Sequence, residues 1–479
     1  MSKNVYDAVV VGAGPNGLSA AVEMARNGRS VAVLEAAEKV GGGASSAELT
    51  LPGFVHDLGS AIHPLGFASP FFRSLPLEEH GLEWIHPTAP LAHPFDDGTA
   101  AVLERSIDET ADSLGPDAKA YRRLMRSASP DVDRIIATLM GKPSLIHHPL
   151  GLSASMLRAV RPARAVAESF FEGEKAKGLF AGNAAHSFLP MEERPSGLFG
   201  IVMGALGHAA SCGWPFPKGG SQKIADALAS YLRSLEGEIY TGVRVHSMQD
   251  VPTTRTVLFD LSPRQVLDIA GDDFTPRYRK SLFAYRHGPG VFKTDFALDG
   301  PIPWKAEECL RAGTVHLGGT LDEISAGEAA VTRGEHPERQ FVLLAQQSLF
   351  DRTRAPEGKH TVWAYCHVPN GSTVDMTDRI EAQIERFAPG FRDRILAKNA
   401  WNTTDLERWN TNLIGGDISG GLMNIRQLIA RPVASANPYS TSAPGLYICS
   451  SSTPPGGAVH GLCGFMAARS ALRYLARSA

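Results

Sequence analysis

Residues 5–35 contain a glycine-punctuated pattern that constrains the fold more than any other part of the chain. An apolar, β-branched run at 6–11 is followed by the sequence GAGPNG at 12–17, which predicts a buried strand that ends in a tight turn. Residues 18–27 have helical periodicity, and residues 30–34 predict a second strand. This βαβ order is typical of a parallel sheet in an α/β fold.

The glycines of that turn have separate physical roles. Gly12 permits the tight turn, Gly14 lets a diphosphate approach the backbone, and Gly17 lets the helix pack closely on the strand. The N-terminus of the helix offers free N–H groups and a positive dipole end to the diphosphate. Glu35 follows the second strand, where a carboxylate can accept hydrogen bonds from an adenosine ribose. The segment therefore predicts a dinucleotide site.

A second glycine loop at 41–46 and a hairpin-like return at 53–59 follow the first motif. Backbone amides and hydroxyl groups in such a loop can contact a diphosphate. Here the chain resembles the glutathione-reductase-type FAD proteins, and within them the group that contains phytoene desaturases and flavin amine oxidases. Carotenoid desaturases commonly have an arginine after the Gly-Gly pair, but this chain has Gly43, so no arginine–phosphate contact is implied.

The last part of the chain resembles the C-terminal flavin motif of the same group. Residues 444–453 predict a buried strand that runs into a polar turn, and the glycine-containing residues 454–461 lead into a helix. In that group the helix N-terminus faces the ribityl chain and the flavin, where it stabilises negative charge on the reduced ring. A third region, at 217–245, predicts an amphipathic helix followed by a strand over 237–245. It resembles the segment that passes the adenine, which implies that Val243 or Arg244 lies at that edge.

The resemblance implies an α/β fold in which a Rossmann-like FAD-binding domain with a central parallel sheet is interrupted by a mixed α+β substrate domain. We expect the FAD-binding domain to comprise residues 1–66, 216–282 and 436–479, and the substrate-binding domain to comprise 67–215 and 283–435. The cofactor-binding residues implied by these motifs are Gly12, Gly14, Pro15, Asn16, Gly17, Glu35, Ala36, Gly42, Gly43, Ala44, Ser45, Gly59, Ser60, Val243, Ser451, Gly457, Val459 and His460.

Three side chains are candidates for proton transfer. Lys293 interrupts an otherwise apolar strand predicted over 290–298, and the resemblance to flavin amine oxidases implies that it faces flavin N5 through water. The alternative is a lysine on the solvent face of an edge strand. His63 and His460 come from segments that are expected to converge on the flavin, and histidine moves protons near neutral pH. For both histidines a structural role is the alternative.

Two further regions are candidate pocket walls. The glycine-rich, polar loop at 410–421 has no definite role in the sequence alone. Several aromatic residues are expected either to line a lipophilic cavity or to pack in the core. They are Phe67, Phe71, Phe72, Trp401 and Trp409.

Composition excludes several other classes of protein. With 47 basic and 50 acidic residues, the chain has no charge excess for nucleic-acid binding. The five cysteines are widely separated and form no CxxC pair, which favours neither a disulfide framework nor a metal site and suits the cytoplasm. The uncharged stretch 196–217 is predicted to be a buried helix beside a cavity rather than a membrane span. The basic, apolar stretch 156–164 is a candidate for peripheral membrane contact, with a solvated helix as the alternative.

The resemblance implies a phytoene dehydrogenase-like or amine oxidase-like FAD oxidoreductase that takes a hydride from a C–C or C–N centre. Its substrate is expected to be a small lipophilic or amine-bearing molecule, and its electron acceptor oxygen, a quinone or NAD(P). A flavin-dependent isomerase and a lipid-escort protein of the GDP-dissociation-inhibitor type remain as alternatives. The intact diphosphate motif argues against the escort protein, and the sequence leaves the oligomeric state open.

Overall fold

The computed structural model describes residues 5–139, 160–209 and 212–477. Its strands are β1 (Val5–Val11), β2 (Val31–Leu34), β3 (Ser46–Glu48), β4 (Val55–Asp57), β5 (Trp84–Ile85), β6 (Ala89–Pro94), β7 (Ala100–Leu103), β8 (Phe216–Pro217), β9 (Glu238–Tyr240), β10 (Thr253–Phe259), β11 (Gly290–Leu298), β12 (Ala312–Leu317), β13 (Val342–Ala345), β14 (His360–Val368), β15 (Ile395–Trp401) and β16 (Leu446–Ile448).

The described residues also form α-helices between and after these strands. They are α1 (Pro15–Arg26), α2 (Pro64–Phe67), α3 (Pro70–Arg73), α4 (Ile107–Ser113), α5 (Ala118–Leu139), α6 (Ala163–Phe170), α7 (Glu174–Ala185), α8 (Ser196–His208), α9 (Gln222–Ser234), α10 (Pro263–Ala270), α11 (Pro276–Phe283), α12 (Leu321–Thr332), α13 (Thr377–Phe387), α14 (Thr403–Trp409), α15 (Ile425–Ile429) and α16 (Leu462–Arg477).

A five-stranded sheet contains the first motif of the sequence. Its strands are all parallel, in the order β16-β10-β1-β2-β9. The central strand β1 is buried from Ala8 to Val11, as its apolar run requires for a strand that is covered on both faces. The carboxyl ends of the five strands therefore meet at one edge, where α/β sheets bind ligands. The predicted Rossmann-like parallel sheet is confirmed.

A second, mixed sheet has seven strands in the order β15-β11-β14-β13-β12-β6-β7. Neighbouring strands are antiparallel, except that β12 and β6 are parallel. Strand β11 lies inside this sheet, between β14 and β15, and each of its residues is buried. The combination of a parallel and a mixed sheet agrees with the expected fold class, whereas the domain boundaries stay a prediction.

The two ends of the chain lie against each other. Helix α16 packs along α1, and the approach is so close that a Cβ at Gly464 would lie 1.8 Å from the Asn16 carbonyl oxygen. Only a glycine allows two helix backbones to meet at this distance. The C-terminal strand β16 pairs with β10 in the same sheet as β1. Both terminal motifs therefore belong to one layer of the fold.

Some elements differ from the sequence-based expectation. Residues 118–139 form the single helix α5 although Pro130 lies within it, because a proline removes one helical hydrogen bond without necessarily ending the helix. The strand expected over 237–245 is only β9, because Gly242 turns the chain with a φ of +69°. Residues 156–159 of the candidate membrane stretch at 156–164 lie outside the described residues. Among the residues that are described, no helix has the length and apolar character to cross a membrane.

Candidate active site

A cavity of about 820 Å³ lies against the carboxyl edge of the five-stranded sheet and extends to one face of the seven-stranded sheet. Pockets for small ligands and cofactors have volumes of roughly 300–1,000 Å³. One end, which we call the dinucleotide end, is formed by residues after β1, β2, β9, β10 and β16, including Gly12 and Glu35. The other, the sheet end, includes Lys293 and Tyr365 from β11 and β14. The cavity thus connects the two sheets.

Most of the cofactor-binding residues expected from the sequence line this cavity. They are Gly12, Gly14, Pro15, Asn16, Glu35, Ala36, Gly42, Gly43, Ser45, Gly59, Ser60, Val243, Ser451, Gly457 and Val459. Gly17, Ala44 and His460 do not line it. Gly17 serves packing instead, since a Cβ there would lie 2.0 Å from the Gly12 carbonyl oxygen.

The glycine turn at the start of α1 has the shape of a diphosphate cradle. Gly12 has a φ of +101°, which side chains other than glycine rarely adopt. A Cβ at Gly14 would lie 2.6 Å from Asp260 Oδ2, so the position has no room for a side chain. A Cβ at Gly42 would lie 2.9 Å from the Gly14 Cα, which shows that the two glycine loops touch. Both loops line the cavity, and backbone of this kind can contact a diphosphate.

The side chains beside this cradle suit an adenine dinucleotide. Glu35 is placed at the end of β2, and its carboxylate accepts hydrogen bonds from the Ala13 amide at 2.6 Å and the Ala37 amide at 2.8 Å. These bonds fix the carboxylate where further lone pairs can accept ribose hydroxyl groups. Asn16 Oδ1 is buried and has no hydrogen-bond partner within the protein. An unpaired buried acceptor beside the cradle is explained by a ligand that donates to it.

Asp260 is a residue of this end to which the sequence pattern assigned no role. It follows β10, and its Oδ2 accepts a hydrogen bond from the Gly17 amide at 2.9 Å. Burial raises the pKa of Asp260 to about 7, and the nearby Glu35 carboxylate adds to the shift against the opposing Gly17 bond. A carboxyl group that retains its proton near neutral pH does not repel a diphosphate. The location at the carboxyl end of a parallel strand was the available signal.

The turn at 59–60 closes over the second glycine loop. Both the amide and the hydroxyl of Ser60 donate to the Gly43 carbonyl oxygen, at 2.9 and 3.1 Å. From the C-terminal segment, the Ser451 carbonyl oxygen accepts a bond of 2.9 Å from buried Arg431. Val243 lines the cavity from the loop after β9, and its amide donates to the Glu35 carbonyl oxygen at 2.8 Å.

His460, a candidate for both cofactor binding and catalysis, is not brought to the cavity. Its Nδ1 accepts a hydrogen bond of 3.1 Å from the Leu462 amide at the start of α16, and its carbonyl oxygen accepts one of 2.7 Å from the Ser69 hydroxyl. Burial lowers the pKa of His460 to about 4, so the ring is neutral. These contacts give it a capping role at the helix N-terminus.

Lys293 lies inside the protein, at the sheet end of the cavity. It is 2% exposed, and β11 has a neighbouring strand on each side, so the alternative of a lysine on a solvent-facing edge strand is wrong. Its Nζ donates to Asp295 Oδ2 and lies 5.7 Å from the centre of the Trp401 ring. Burial lowers the pKa of the Lys293 amine.

His63 also lines the cavity. Its Nε2 is 2.8 Å from the Ser221 hydroxyl, which in turn donates to the Ser60 carbonyl oxygen at 2.7 Å. Burial lowers the pKa of His63 to about 4. The imidazole is therefore neutral near physiological pH and is held by Ser221, the residue that precedes α9.

The sheet end is lined by residues whose positions follow from strand pairing. Trp363 and Tyr365 are two residues apart on β14, so their side chains share one face of the strand. Tyr365 lies directly opposite Lys293 on the neighbouring strand. His186 and Trp214 form the far wall. The place of these residues in the site could not be predicted from the sequence, because a pattern within one segment does not show which other segments pack beside it.

The predicted pocket wall at 410–421 does line the cavity through Asn410, Thr411 and Asn412. Asn412 closes it over the dinucleotide end by donating to the Asp260 carbonyl oxygen at 2.9 Å. Among the aromatic candidates, Trp409 is in the cavity lining, whereas the others pack outside it. Those others are Phe67, Phe71, Phe72 and Trp401.

Comparison with known proteins identifies the family. The profile of the family described as flavin containing amine oxidoreductase matches residues 16–462. The mouse protein named pyridine nucleotide-disulfide oxidoreductase domain-containing protein 2 is 28% identical across 99% of this chain and 94% of its own length. A component of the limonene dehydrogenase of Castellaniella defragrans is 30% identical over 29% of this chain and 26% of its own.

Solved structures have the same fold. Wild-type putrescine oxidase bound to putrescine superposes with a TM-score of 0.63 at 17% identity, covering 99% of both chains. Cyclohexylamine oxidase from Brevibacterium oxydans gives 0.62 at 15% identity, covering 98% of this chain and 100% of its own. Because the family profile matches most of the chain, this protein belongs to the flavin-containing amine oxidoreductase family and is an FAD-dependent oxidoreductase.

Proposed function

We propose that this enzyme removes a hydride from a C–H bond of a small, uncharged, largely apolar substrate, at a C–C or C–N centre. The observation that carries the proposal is the continuity of the cavity from the glycine cradle to buried Lys293. FAD bound along that cavity supplies the hydride acceptor. The chain's own task is to hold the substrate, exclude water and handle the accompanying proton.

The dinucleotide end supports binding of the ADP part of FAD. The backbone amides at Gly14 and Gly42 would hold the diphosphate, and the Glu35 carboxylate would accept the ribose hydroxyl groups. The Asp260 carboxyl, whose pKa burial raises to about 7, would carry less negative charge beside the diphosphate near neutral pH than an ordinary carboxylate. Val243 and Arg244 would border the adenine.

Lys293 supports proton transfer at the sheet end. Because burial lowers the pKa of its amine, Lys293 loses its proton more readily than an exposed lysine, and its free amine would accept one from the substrate or an ordered water. Asp295 holds Nζ in place and balances the charge when the proton is bound. A buried base with a fixed counter-ion is the arrangement expected for general acid–base chemistry in a closed cavity.

The side chains of the sheet end favour an uncharged substrate. Among the described residues, no Asp or Glu lines this end, which is formed mainly by aromatic and aliphatic groups such as Phe188, Met203, Trp214 and Trp363. A cation buried there would lack a counter-ion and would cost several kcal/mol. We therefore infer that an amine is accepted only as the free base, and that a cationic diamine is a poor substrate.

An anaerobic bleaching screen tests this proposal. Holoenzyme is mixed with cyclohexylamine, with apolar cyclic alkenes and with putrescine, and the loss of flavin colour is followed. We expect bleaching by neutral apolar compounds, faster bleaching by cyclohexylamine as pH rises toward its free-base form, and none by putrescine. Purified protein that retains no flavin after added FAD would overturn the enzyme function, whereas equal bleaching by putrescine would overturn only the substrate class.

A further inference from the structure

Four polar side chains form a line from the sheet end of the cavity toward the protein surface. The line begins at Lys293, continues through Asp295 and His56, and ends at Thr50. Lys293 and Asp295 are two residues apart on β11, so their side chains share one face of the strand. His56 reaches them from β4, which packs against β14.

The distances along this line are short. Lys293 Nζ donates to Asp295 Oδ2, and Asp295 Oδ1 lies 3.7 Å from His56 Nδ1. Asp295 Oδ1 and His56 Nδ1 are both buried, and neither has a hydrogen-bond partner. His56 Nε2 is 2.9 Å from the hydroxyl oxygen of Thr50, which is half-buried beside exposed Pro52. Since a hydrogen bond needs about 3.1 Å, an approach of about 0.6 Å completes the line.

Burial and the charges around His56 keep its imidazole ring neutral. Lys293, Asp295, Asp57 and Arg354 all face the ring. Burial, followed by the Lys293 charge, lowers the pKa of His56 to about 3, while burial raises the pKa of Asp295 to about 6. A neutral imidazole has one donor and one acceptor nitrogen, so it can take a proton on one side and release another on the opposite side.

We propose that Asp295, His56 and Thr50 are a proton relay between Lys293 and bulk water. The inference rests on the proposed function, in which Lys293 exchanges the proton of the reaction. Protonated Lys293 gives its proton to the Asp295 carboxylate, which rotates and gives it to His56 Nδ1. His56 passes its Nε2 proton to the Thr50 hydroxyl, whose own proton goes to water. One proton leaves the cavity and one reaches solvent, with no change in electrons or in bonds between heavy atoms.

A substrate-free experiment separates this relay from the proposed function. Holoenzyme is reduced by light and EDTA, freed of excess reductant and mixed anaerobically with ferricenium. Two ferricenium ions take the two electrons of the anionic reduced flavin, and one proton is released. Return of flavin colour reports electron transfer, and phenol red in unbuffered solution reports proton release. In the wild type we expect the two signals to coincide.

Two conservative variants interrupt the line. His56→Gln retains a side chain that donates to Asp295 but cannot transfer a proton, and Thr50→Val removes the hydroxyl at nearly constant shape. In both variants, we expect the rate of proton release to be roughly tenfold lower than the rate at which the flavin colour returns. His80→Gln is the matched control, because His80 makes a similar bond of 2.8 Å to the Ser230 hydroxyl and does not line the cavity. Coincident signals in fully flavinated His56→Gln would overturn the relay.

Infrared spectroscopy of the apoprotein gives a readout without flavin. The protein is prepared with labelled aspartate, and the carboxylic acid band of Asp295 is assigned as the band that Asp295→Asn removes. We expect this band to titrate near pH 6. His56→Gln should shift that band, because the group facing Asp295 Oδ1 changes. An identical band in wild type and His56→Gln would contradict the contact between Asp295 and His56. Absence of substrate bleaching would leave both of these readouts intact and would count only against the proposed function.

Discussion

At the scale of single residues, the dinucleotide end of the cavity depends on three glycines. Gly12 forms a turn, Gly14 allows a close approach and Gly17 allows a helix contact, and each of these roles excludes a side chain. Because the backbone itself demands glycine at these positions, their roles could be assigned from the sequence. Asp295 was missed, although an opposite charge two residues from Lys293 on an apolar strand was a usable signal. Trp363 and Tyr365 could not be found, since their position depends on the pairing of β14 with β11.

Replacing Gly14 with valine tests the cradle. We expect Gly14→Val to abolish FAD retention while the chain still folds, because the new Cβ would meet the Asp260 carboxylate at 2.6 Å and displace the loop. The measurement is the flavin-to-protein ratio after purification, with circular dichroism to check folding. Gly271→Ala is the control, because a Cβ there meets only Leu267 at 3.9 Å. Flavin retained at the wild-type ratio in Gly14→Val would refute the cradle.

Removing the amine of Lys293 tests its role in proton transfer. We expect Lys293→Met to keep its flavin but to slow flavin reduction by substrate by about 10²-fold, as for loss of a general base. It should also lose about 3–5 kcal/mol of stability, because Asp295 is left buried without a partner. The double variant Lys293→Met/Asp295→Asn should recover the stability and not the rate. Stopped-flow reduction and urea unfolding measure the two effects, and an unchanged reduction rate would remove Lys293 from the site.

At the scale of elements, local pattern predicted strands and helices well, and their ends less well. The strand at 290–298 was predicted with its observed bounds, because its apolar run is long and punctuated by glycine and a turn. The strand after 237 was predicted too long, since a turn at Gly242 with positive φ is not distinguishable there from a glycine within a strand. Contacts between distant elements were beyond the sequence altogether.

One such contact is the buried ion pair network around Arg354. Its Nη1 lies 3.1 Å from Asp57 at the end of β4, and its Nε lies 3.1 Å from Asp351. We expect Arg354→Gln to cost about 3–5 kcal/mol in urea unfolding, because two carboxylates lose their buried partner. Arg333→Gln, which breaks an exposed pair with Glu335, should leave the urea midpoint nearly unchanged, because solvent screens that pair. Equal stability of the two variants would contradict the conclusion that the buried ion pairs of Arg354 stabilise the fold.

At the scale of the whole molecule, the buried histidines predict acid sensitivity. Burial lowers their pKa values to about 3 or 4, whereas in the unfolded chain histidine titrates near pH 6.5. They are His56, His63, His93, His186, His208 and His460. Between pH 6.5 and 4 the unfolded chain therefore binds protons that the folded chain does not, so stability falls as pH falls.

The size of this effect follows from proton counting. Each such histidine contributes a slope of about 1.4 kcal/mol per pH unit over that window. Asp260 and Asp295 act in the opposite direction, because their raised pKa values of about 7 and 6 make the folded chain hold protons there. Thermal unfolding with saturating FAD should show a melting temperature that falls steadily through the window, and less steeply in His208→Gln. A constant melting temperature would contradict the prediction.

The close contact of α1 with α16 has a consequence for synthesis in the cell. The nucleotide-binding helix α1 emerges from the ribosome early, but its partner around Gly464 emerges only after more than four hundred further residues. Until then β10 lacks its neighbour β16, and the flank of α1 that α16 covers stays exposed. Synthesis must therefore pass α16 before the nascent polypeptide can complete its flavin site, and the exposed apolar surface needs chaperone protection during that stage.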